Sequence, residues 1–474
     1  MGIFFEEIEK LCGRGDTPFH MPGHKRKMLK ESGTSSAEAF FSEWYKRDLT
    51  EINGSDDLHA PEGIIKEAEE RAAGLFNAEH AYFLVNGSSA GILALLSAYL
   101  DPGDCFIMAR GSHVSAYNAV MLRRLEPVYV CGDTDEESLA EICPGREIIK
   151  KALKEHPDAK AVFIVSPTYE GFYADIRGIA EAAHEKNIPL LVDAAHGAHF
   201  GFSKHFPENV ISEGADAAVI SLHKTLPAPT QTALLLTSGV FDRRERLRYF
   251  LSVYQSSSPS YLLMAGIDEC VSLTERFGTD AFESFAKRVR GLTESLKSLE
   301  NIKLKGAYSE GDNRPEPGKL MLIPKDHSSG AELSAYLEKK GITAEFALPP
   351  YVLLIISVCD DDKDLKRLRE ALLDADKQAA FWLKGMKKNN GSNAAVRYIP
   401  GKMMPLWKAA ESKSEETDIK SAEGRICAEC VLVYPPGRPL FVPGEVFDTE
   451  GLELLKTAEE KGLKIKGRLM AVKK

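Results

Sequence analysis

From about residue 60 to about residue 237, short apolar runs alternate with stretches whose apolar residues recur at helical spacing, a pattern that buries a mostly parallel sheet between two helix layers. Seven runs predict strands: Ala81–Val85, Cys105–Ala109, Pro127–Val130, Ala161–Val165, Pro189–Val192, Ala217–Ile220 and Ala233–Leu236. Helices are predicted over Gly63–Leu75, Ala90–Leu100, Glu147–His156 and Ile179–Lys186, with Gly103, Gly132 and Gly214 punctuating the returns. The fold class is therefore α/β.

Beyond Pro259 the pattern becomes a smaller α+β unit. Helical spacing runs over Phe282–Leu299, Ala331–Lys340 and Asp364–Trp382, and Leu320–Ile323 and Tyr351–Val358 read as strands. Gly306–Gly318 reads as a surface loop, and Lys387–Asn393 and Ser412–Ser421 as linkers or exposed loops before a last segment, Ile426–Lys474. A chain of 474 residues is expected to hold two or three domains around one large core. The predicted division is an N-terminal arm over 1–60, a large α/β domain over 61–270, a small α+β domain over 271–390 and a C-terminal domain over 391–474.

Charge and composition narrow the partners. Sixty Lys+Arg against seventy Asp+Glu leave a net charge of −10, without the basic excess that a phosphate backbone demands, so no nucleic-acid partner is expected. The apolar run Ala90–Leu100 is about eleven residues long, short of the ~18 needed to cross a bilayer, and Glu6, Glu7 and Glu9 oppose a secretory signal, so neither a membrane partner nor export is expected. Eight scattered cysteines suit a reducing cytoplasm. Cys427-Ala-Glu-Cys430 is the one CxxC pair; with no second pair and no nearby histidines it reads as structural, with a redox role as the alternative.

Ligands of open α/β sheets lie beyond the carboxyl ends of the strands, and polar residues interrupt three of these runs there. The first continues Asn86-Gly87-Ser88-Ser89-Ala90-Gly91, where free amides and two hydroxyls open a helix; an anion cradle and a plain helix cap are both consistent with it. The fifth ends at Asp193, in Asp193-Ala194-Ala195-His196-Gly197-Ala198-His199, and a carboxylate directly after a buried strand needs a cationic or hydrogen-bonding partner. Asp193 either caps the next helix or holds a proton on a ligand's ring nitrogen. The sixth ends Ser221-Leu222-His223-Lys224, which sets a lysine in the layer of Asp193: a solvated charge, or a Schiff-base amine. A phosphate cradle, an acid for a ring nitrogen and an amine for an aldehyde are together the contacts that pyridoxal phosphate requires.

On these residues the whole chain resembles the Orn/Lys/Arg decarboxylases, pyridoxal-phosphate enzymes of the aspartate-aminotransferase (type I) fold. The matching stretches, in family order, are His20-Met-Pro-Gly-His-Lys25, Asp48-Leu-Thr-Glu51, Asp56-Asp-Leu-His59, Asn86-Gly-Ser-Ser89, Ser166-Pro-Thr-Tyr169, Asp193-Ala-Ala-His-Gly-Ala-His199, Ser221-Leu-His-Lys224, Tyr434-Pro-Pro-Gly437 and Pro443-Gly-Glu445. The length is similar to that of the shorter bacterial members. The resemblance implies a mostly parallel seven-stranded sheet between helices in the 61–270 domain, with smaller α+β domains after it. It implies that Lys224 carries the cofactor as a Schiff base and that Asp193 pairs with the pyridinium nitrogen. Ser88, Ser89, Ser221 and His223 would hold the phosphate, His113 would stack on the ring, Ala195 would pack on its other face and His196 would lie near the ring hydroxyl. Two positions depart from the family pattern, Ala194 where Glu is usual and Val114 where Lys is usual; neither removes a cofactor contact, and both bear on substrate handling or pH response.

The implied activity is decarboxylation of a basic L-amino acid, arginine ahead of lysine and ornithine, feeding polyamine synthesis. A type I aminotransferase and a non-catalytic cofactor-binding homologue are the competing readings. The distal cation of the substrate calls for carboxylates, for which Glu51, Asp56, Asp57, Glu170 and Glu429 are candidates. No metal is expected: Pro22 and Gly23 oppose a helical pairing of His20 with His24, and His59, His196 and His199 lack cysteine or carboxylate companions. At least a homodimer is implied, with His20–Lys25 and Tyr434–Glu445 as interface elements.

Overall fold

The computed structural model of the chain describes residues 2–13, 36–309, 315–383, 398–434, 438–460 and 463–473. Its centre is a sheet of seven strands: β1 (His80–Leu84), β2 (Cys105–Ala109), β3 (Glu126–Val130), β4 (Val162–Val165), β5 (Leu190–Asp193), β6 (Ala217–Ile220) and β7 (Ala233–Thr237). They lie in the order β1-β7-β6-β5-β4-β2-β3. Only β7 runs against its neighbours, so the carboxyl ends of the other six open on one edge. These strands are short and apolar because both faces are covered. In β1, Tyr82 and Leu84 join one buried cluster, with Leu191, Val219 and residues of the helices Gly87–Tyr99 and Val114–Arg123. Phe83 joins the other, with Val192, Ile220 and residues of the helices Ile64–Leu75, Ile176–His184 and Tyr261–Ser295.

The same alternation places a carboxylate. Asp193 lies two residues beyond Leu191 and in register with Val219, so it belongs to the face covered by the helix Gly87–Tyr99. Gly91 brings that helix close: a Cβ there would stand 2.5 Å from Leu84 Cδ1 and 3.1 Å from Val219 Cγ1. Any larger residue would lift the helix, and with it Ser88 and Ser89, off the sheet.

The predicted helix Phe282–Leu299 is the end of a single helix, Tyr261–Ser295, of 35 residues. At 1.5 Å per residue it is about 52 Å long. Its first half buries Tyr261, Met264 and Ile267 against the large sheet's layer and its second half buries Phe282, Phe285 and Val289, so residues 270 and 271 lie inside one continuous element. The small unit is an antiparallel sheet of β8 (Ile302–Lys305), β9 (Lys319–Pro324), β10 (Phe346–Leu348) and β11 (Tyr351–Ile355), in the order β10-β11-β9-β8. Its helices are Gly330–Lys339 and Asp362–Lys377, the latter opened by a capping box between Asp361 and Asp364.

Ser412–Ser421 is not the loop its polarity predicts. Ser414–Glu416 forms β12 and pairs with β16 (Met470–Val472), and Ile419–Ala422 is a short helix. Half-exposed edge strands held by a distant partner carry no apolar run to betray them. β13 (Val431–Tyr434) pairs with β14 (Arg438–Phe441) and β15 (Lys464–Lys466), over a separate core of Tyr398, Cys427, Val431, Phe441, Phe447 and Leu455. The Lys387–Asn393 stretch and the His20–Lys25 motif lie outside the described residues. Among the described residues no helix is long and apolar enough to cross a membrane.

Candidate active site

Strand ends and helix starts on the face of Gly87–Tyr99 enclose a cavity of about 410 Å³, within the usual range for small-molecule sites. Of the predicted site residues, Ser88, Ser89, His113, Asp193, Ala195, His196, His223 and Lys224 line it. Ser221 does not; it is fully buried just before the helical turn Leu222–Thr225, and its Oγ has no hydrogen-bond partner among the described residues.

Each side chain is held by its own element. The helix Gly87–Tyr99 is capped at Asn86 without a side-chain bond, so Ser88 and Ser89 are first-turn residues rather than caps, and they stand beside unpaired amides at the positive end of a helix. His113 does cap its helix, Val114–Arg123: its Nδ1 accepts the Ser115 N–H at 3.2 Å and lies 2.9 Å from Ser115 Oγ. Burial holds the His113 imidazole below its ordinary pKa. Asp193 is 3 % exposed and accepts the Ala195 N–H at 3.1 Å. Burial pushes its carboxyl up, against the opposing pull of the Lys224 and His113 charges. Lys224 lies in the helical turn Leu222–Thr225, four residues beyond the end of β6 at Ile220, and burial draws its ammonium down. His223 Nδ1 is 2.9 Å from the Thr232 carbonyl, which leaves Nε2 available on the cavity side.

His196 sits between two lysines, with Nε2 3.1 Å from Lys224 Nζ and Nδ1 3.2 Å from Lys319 Nζ. Burial and the two neighbouring cations hold its imidazole well below the usual pKa, so the ring is neutral. The Tyr169 ring lies 4.4 Å from it, and the Tyr169 hydroxyl donates to Glu345.

Lys319, Tyr169 and Glu141 are site residues that motif reading did not assign. Glu141 lines the cavity and accepts the Gly132 N–H at 3.2 Å, from an irregular loop that carries no sequence pattern. None of the five carboxylates proposed for the distal cation lines the cavity. Asp56 is occupied with the amides of Glu62, Gly63 and Ile65 around the start of a helix. Asp57 accepts the His59 N–H, Glu170 accepts the Tyr351 hydroxyl, Glu429 is half-buried beside Arg468, and Glu51 is exposed. Polar strand ends and turns use acidic side chains for local hydrogen bonds, which outnumber ligand contacts.

The Cys427–Cys430 pair and two further histidines, His59 and His199, make local contacts away from the cavity. All eight cysteines are free thiols, and burial pushes Cys430 up to about 12 and Cys427 also upward, the opposite of an activated redox pair. His199 pairs with buried Glu316 at 3.0 Å and His59 Nε2 lies 2.8 Å from the Ser256 carbonyl. Among the described residues one group of three possible metal ligands comes together, Cys105, His156 and Asp158, and none of them lines the cavity.

A mostly parallel seven-stranded sheet, with a lysine and an aspartate beyond neighbouring strand ends and a serine-bearing helix start beside them, is the architecture of the type I pyridoxal-phosphate enzymes. Within that class the chain belongs to the Orn/Lys/Arg decarboxylase family: the family's major domain matches residues 3–308 and its C-terminal domain matches residues 403–467. It is 32 % identical to an arginine decarboxylase of Bacillus subtilis (strain 168), over 97 % of this chain and 94 % of that protein. An arginine decarboxylase of Bacillus anthracis is 29 % identical over 98 % of this chain and 94 % of its own length. In fold it is similar to the crystal structure of a Francisella novicida lysine decarboxylase, with a TM-score of 0.85 at 18 % identity, covering 100 % of this chain and 81 % of that one.

Proposed function

We propose that the chain converts a basic L-amino acid to its amine and CO2 with pyridoxal phosphate, arginine ahead of lysine and ornithine, and that the amine feeds polyamine synthesis. The observation that carries this reading is that Lys224 and Asp193, from the ends of neighbouring strands, border one cavity together with Ser88 and Ser89. The arginine preference rests on the whole-length similarity to the two Bacillus enzymes.

Pyridoxal phosphate, when bound, supplies a protonated pyridine ring that takes up the electron pair released as the carboxylate leaves as CO2. The donor set fits such a group. Ser88, Ser89 and the open amides of their helix would hold the phosphate, together with His223 Nε2 and the buried Ser221 hydroxyl, which has no partner among the described residues. Asp193 would keep a proton on the ring nitrogen, a cation that answers the cost of burying its carboxylate. His113 would cover one ring face and the small side chain of Ala195 would admit the other, with His196 beside the ring hydroxyl. Burial favours the neutral, nucleophilic form of Lys224, the form needed to attach the cofactor.

Two features favour decarboxylation of a cationic substrate over transamination. Among the described lining residues there is no arginine to retain an α-carboxylate. The carboxylate of Glu141 lines the cavity alongside that of Asp193, which suits an ammonium or guanidinium ligand. We further propose a homodimer working in the cytoplasm, with Tyr434, which is 41 % exposed and also lines the cavity, near the subunit interface. The test is amine production from arginine, lysine and ornithine side by side with added pyridoxal phosphate, tracking labelled CO2. Amine and CO2 from one of the three supports the reading, whereas a keto acid with the carboxylate retained, or no turnover by loaded protein, overturns it.

A further inference from the structure

At the amino end of the large sheet, opposite the cavity, a thiol, an imidazole and a carboxylate meet. Cys105 opens β2, His156 is the C-cap of the helix Arg146–Glu155, and Asp158 lies in the turn that follows. Their ligand atoms, the Cys105 sulfur, a His156 ring nitrogen and an Asp158 carboxylate oxygen, all lie within 4.8 Å of one another. β2 has five residues and its last, Ala109, lines the cavity, so at about 3.3 Å per residue the cluster stands roughly 13 Å from it.

The backbone sets the three in place. The Lys160 N–H donates to the Cys105 carbonyl at 2.8 Å and the Ile107 N–H to the Ala161 carbonyl at 3.0 Å, which stitches the chain beyond the turn to β2. The Ala159 N–H closes the turn on the His156 carbonyl at 3.1 Å, and Pro157 fixes the backbone between the imidazole and the carboxylate. The side chains themselves are committed to nothing else: among the described residues no hydrogen bond or ion pair occupies any of the three. A histidine at a helix C-terminus also answers the helix dipole, but the dipole gives no reason for a thiol and a carboxylate to converge on it.

We propose that Cys105, His156 and Asp158 form a binding site for a divalent transition-metal ion of the zinc type, with water in the fourth position. The donor set selects the ion, since thiolate and imidazole suit zinc where all-oxygen sets suit magnesium and calcium. Bonds of about 2.0 to 2.3 Å place tetrahedral ligand atoms about 3.3 to 3.6 Å apart, so the three need close in by no more than about 1.5 Å, which rotation of the exposed Asp158 side chain can supply. The charges that bear on the thiol are those of Asp158, Glu126 and Asp104 against Lys402, and Lys402 is itself paired with Glu126 at 2.5 Å. The surroundings are therefore net negative, as a dication requires. Burial and the Asp158 carboxylate push the free thiol up, so a bound metal takes the place of its proton, which passes to solvent. The half-buried Cys105 and His156 and the exposed Asp158 leave the ion a path of entry. A metal held there straps the end of the helix Arg146–Glu155 to the first residue of β2 and takes no part in the chemistry of the cavity.

The site does not rest on the proposed function, and its test needs no turnover. Full-length protein loaded with pyridoxal phosphate and stripped of metal by a chelator is titrated with Co2+, and absorbance is read as the difference from the same protein without cobalt. The expected result is one cobalt ion per chain with a thiolate-to-cobalt charge-transfer band and the visible bands of a tetrahedral ion, displaced by Zn2+ and not by Mg2+. The band should vanish in Cys105→Ser. Asp158→Asn and His156→Gln should bind cobalt at least as much more weakly as the ~10-fold that follows loss of an outer-shell partner. A measurement on the wild type guards against a variant that misfolds: Zn2+ should slow alkylation of Cys105, read by mass spectrometry, and leave exposed Cys359 unaffected. No cobalt uptake, uptake without a thiolate band, a band that survives in Cys105→Ser, or alkylation of Cys105 at the same rate with and without Zn2+ would each overturn the proposal.

Discussion

Replacing Glu445 should unfasten the C-terminal domain from the active-site loop. Arg110 lies just before the Gly111–His113 turn and is 4 % exposed; Glu445 is 2 % exposed. The guanidinium donates from Nη1 to Oε1 at 2.7 Å, from Nη2 to Oε2 at 3.0 Å, and from Nη2 to the Leu440 carbonyl at 3.0 Å. Glu445 Oε2 also takes the Val442 N–H at 2.8 Å. Burial pushes the Glu445 carboxyl up, and Arg110 works against that shift. Glu445→Ala removes the counter-charge and two of the three guanidinium bonds, leaving a buried cation with one carbonyl and the faces of Tyr129 and Tyr117 at 4.9 and 5.9 Å.

Breaking one side of such a pair costs about 3 to 5 kcal/mol. With a urea slope of about 3 kcal/mol per M, the unfolding midpoint should fall by on the order of 1 M. Replacing both partners, Arg110→Met with Glu445→Leu, should cost less than Glu445→Ala alone, since no charge is then stranded. Urea titrations of the wild type and both variants, followed by circular dichroism, measure the differences. A wild-type midpoint for Glu445→Ala, or a double variant less stable than Glu445→Ala, would refute the idea that a stranded charge sets the cost.

The active site and the thiols carry two more expectations. Asp193→Asn should still bind pyridoxal phosphate while turnover falls by about 10² to 10³, the usual loss for one preorganised polar contact; near-wild-type turnover would remove the ring-nitrogen role. In native protein at pH 7.5 a thiol reagent should label exposed Cys359 first and reach Cys427 and Cys430 only after unfolding; rapid labelling of that pair would restore a redox reading.

The large sheet was legible because its strands are apolar runs closed by polar or glycine turns, and each predicted run overlaps an observed strand. Asp193 stood out for the converse reason, since a charge at the end of a buried strand is expensive and so informative, and Lys224 stood out through the polar stretch Ser221–Lys224 that follows the sixth run. Lys319 gave no such signal. It opens the apolar run Leu320–Ile323, where a lysine ordinarily marks a solvated strand end, and only the fold places it behind His196. The long helix Tyr261–Ser295 was found only in its second half, since Gly278 and the charged stretch around it interrupt the apolar spacing. The cavity carboxylate Glu141 comes from an irregular loop and was invisible beside acidic residues in recognisable motifs that serve local turns instead.

The central claim is that Lys224 holds the cofactor. Borohydride reduction of the loaded protein, followed by digestion and mass spectrometry, should find the phosphopyridoxyl group on the peptide containing Lys224, and none on that peptide from Lys224→Ala. A label on Lys319 or any other lysine in the wild type would contradict the account.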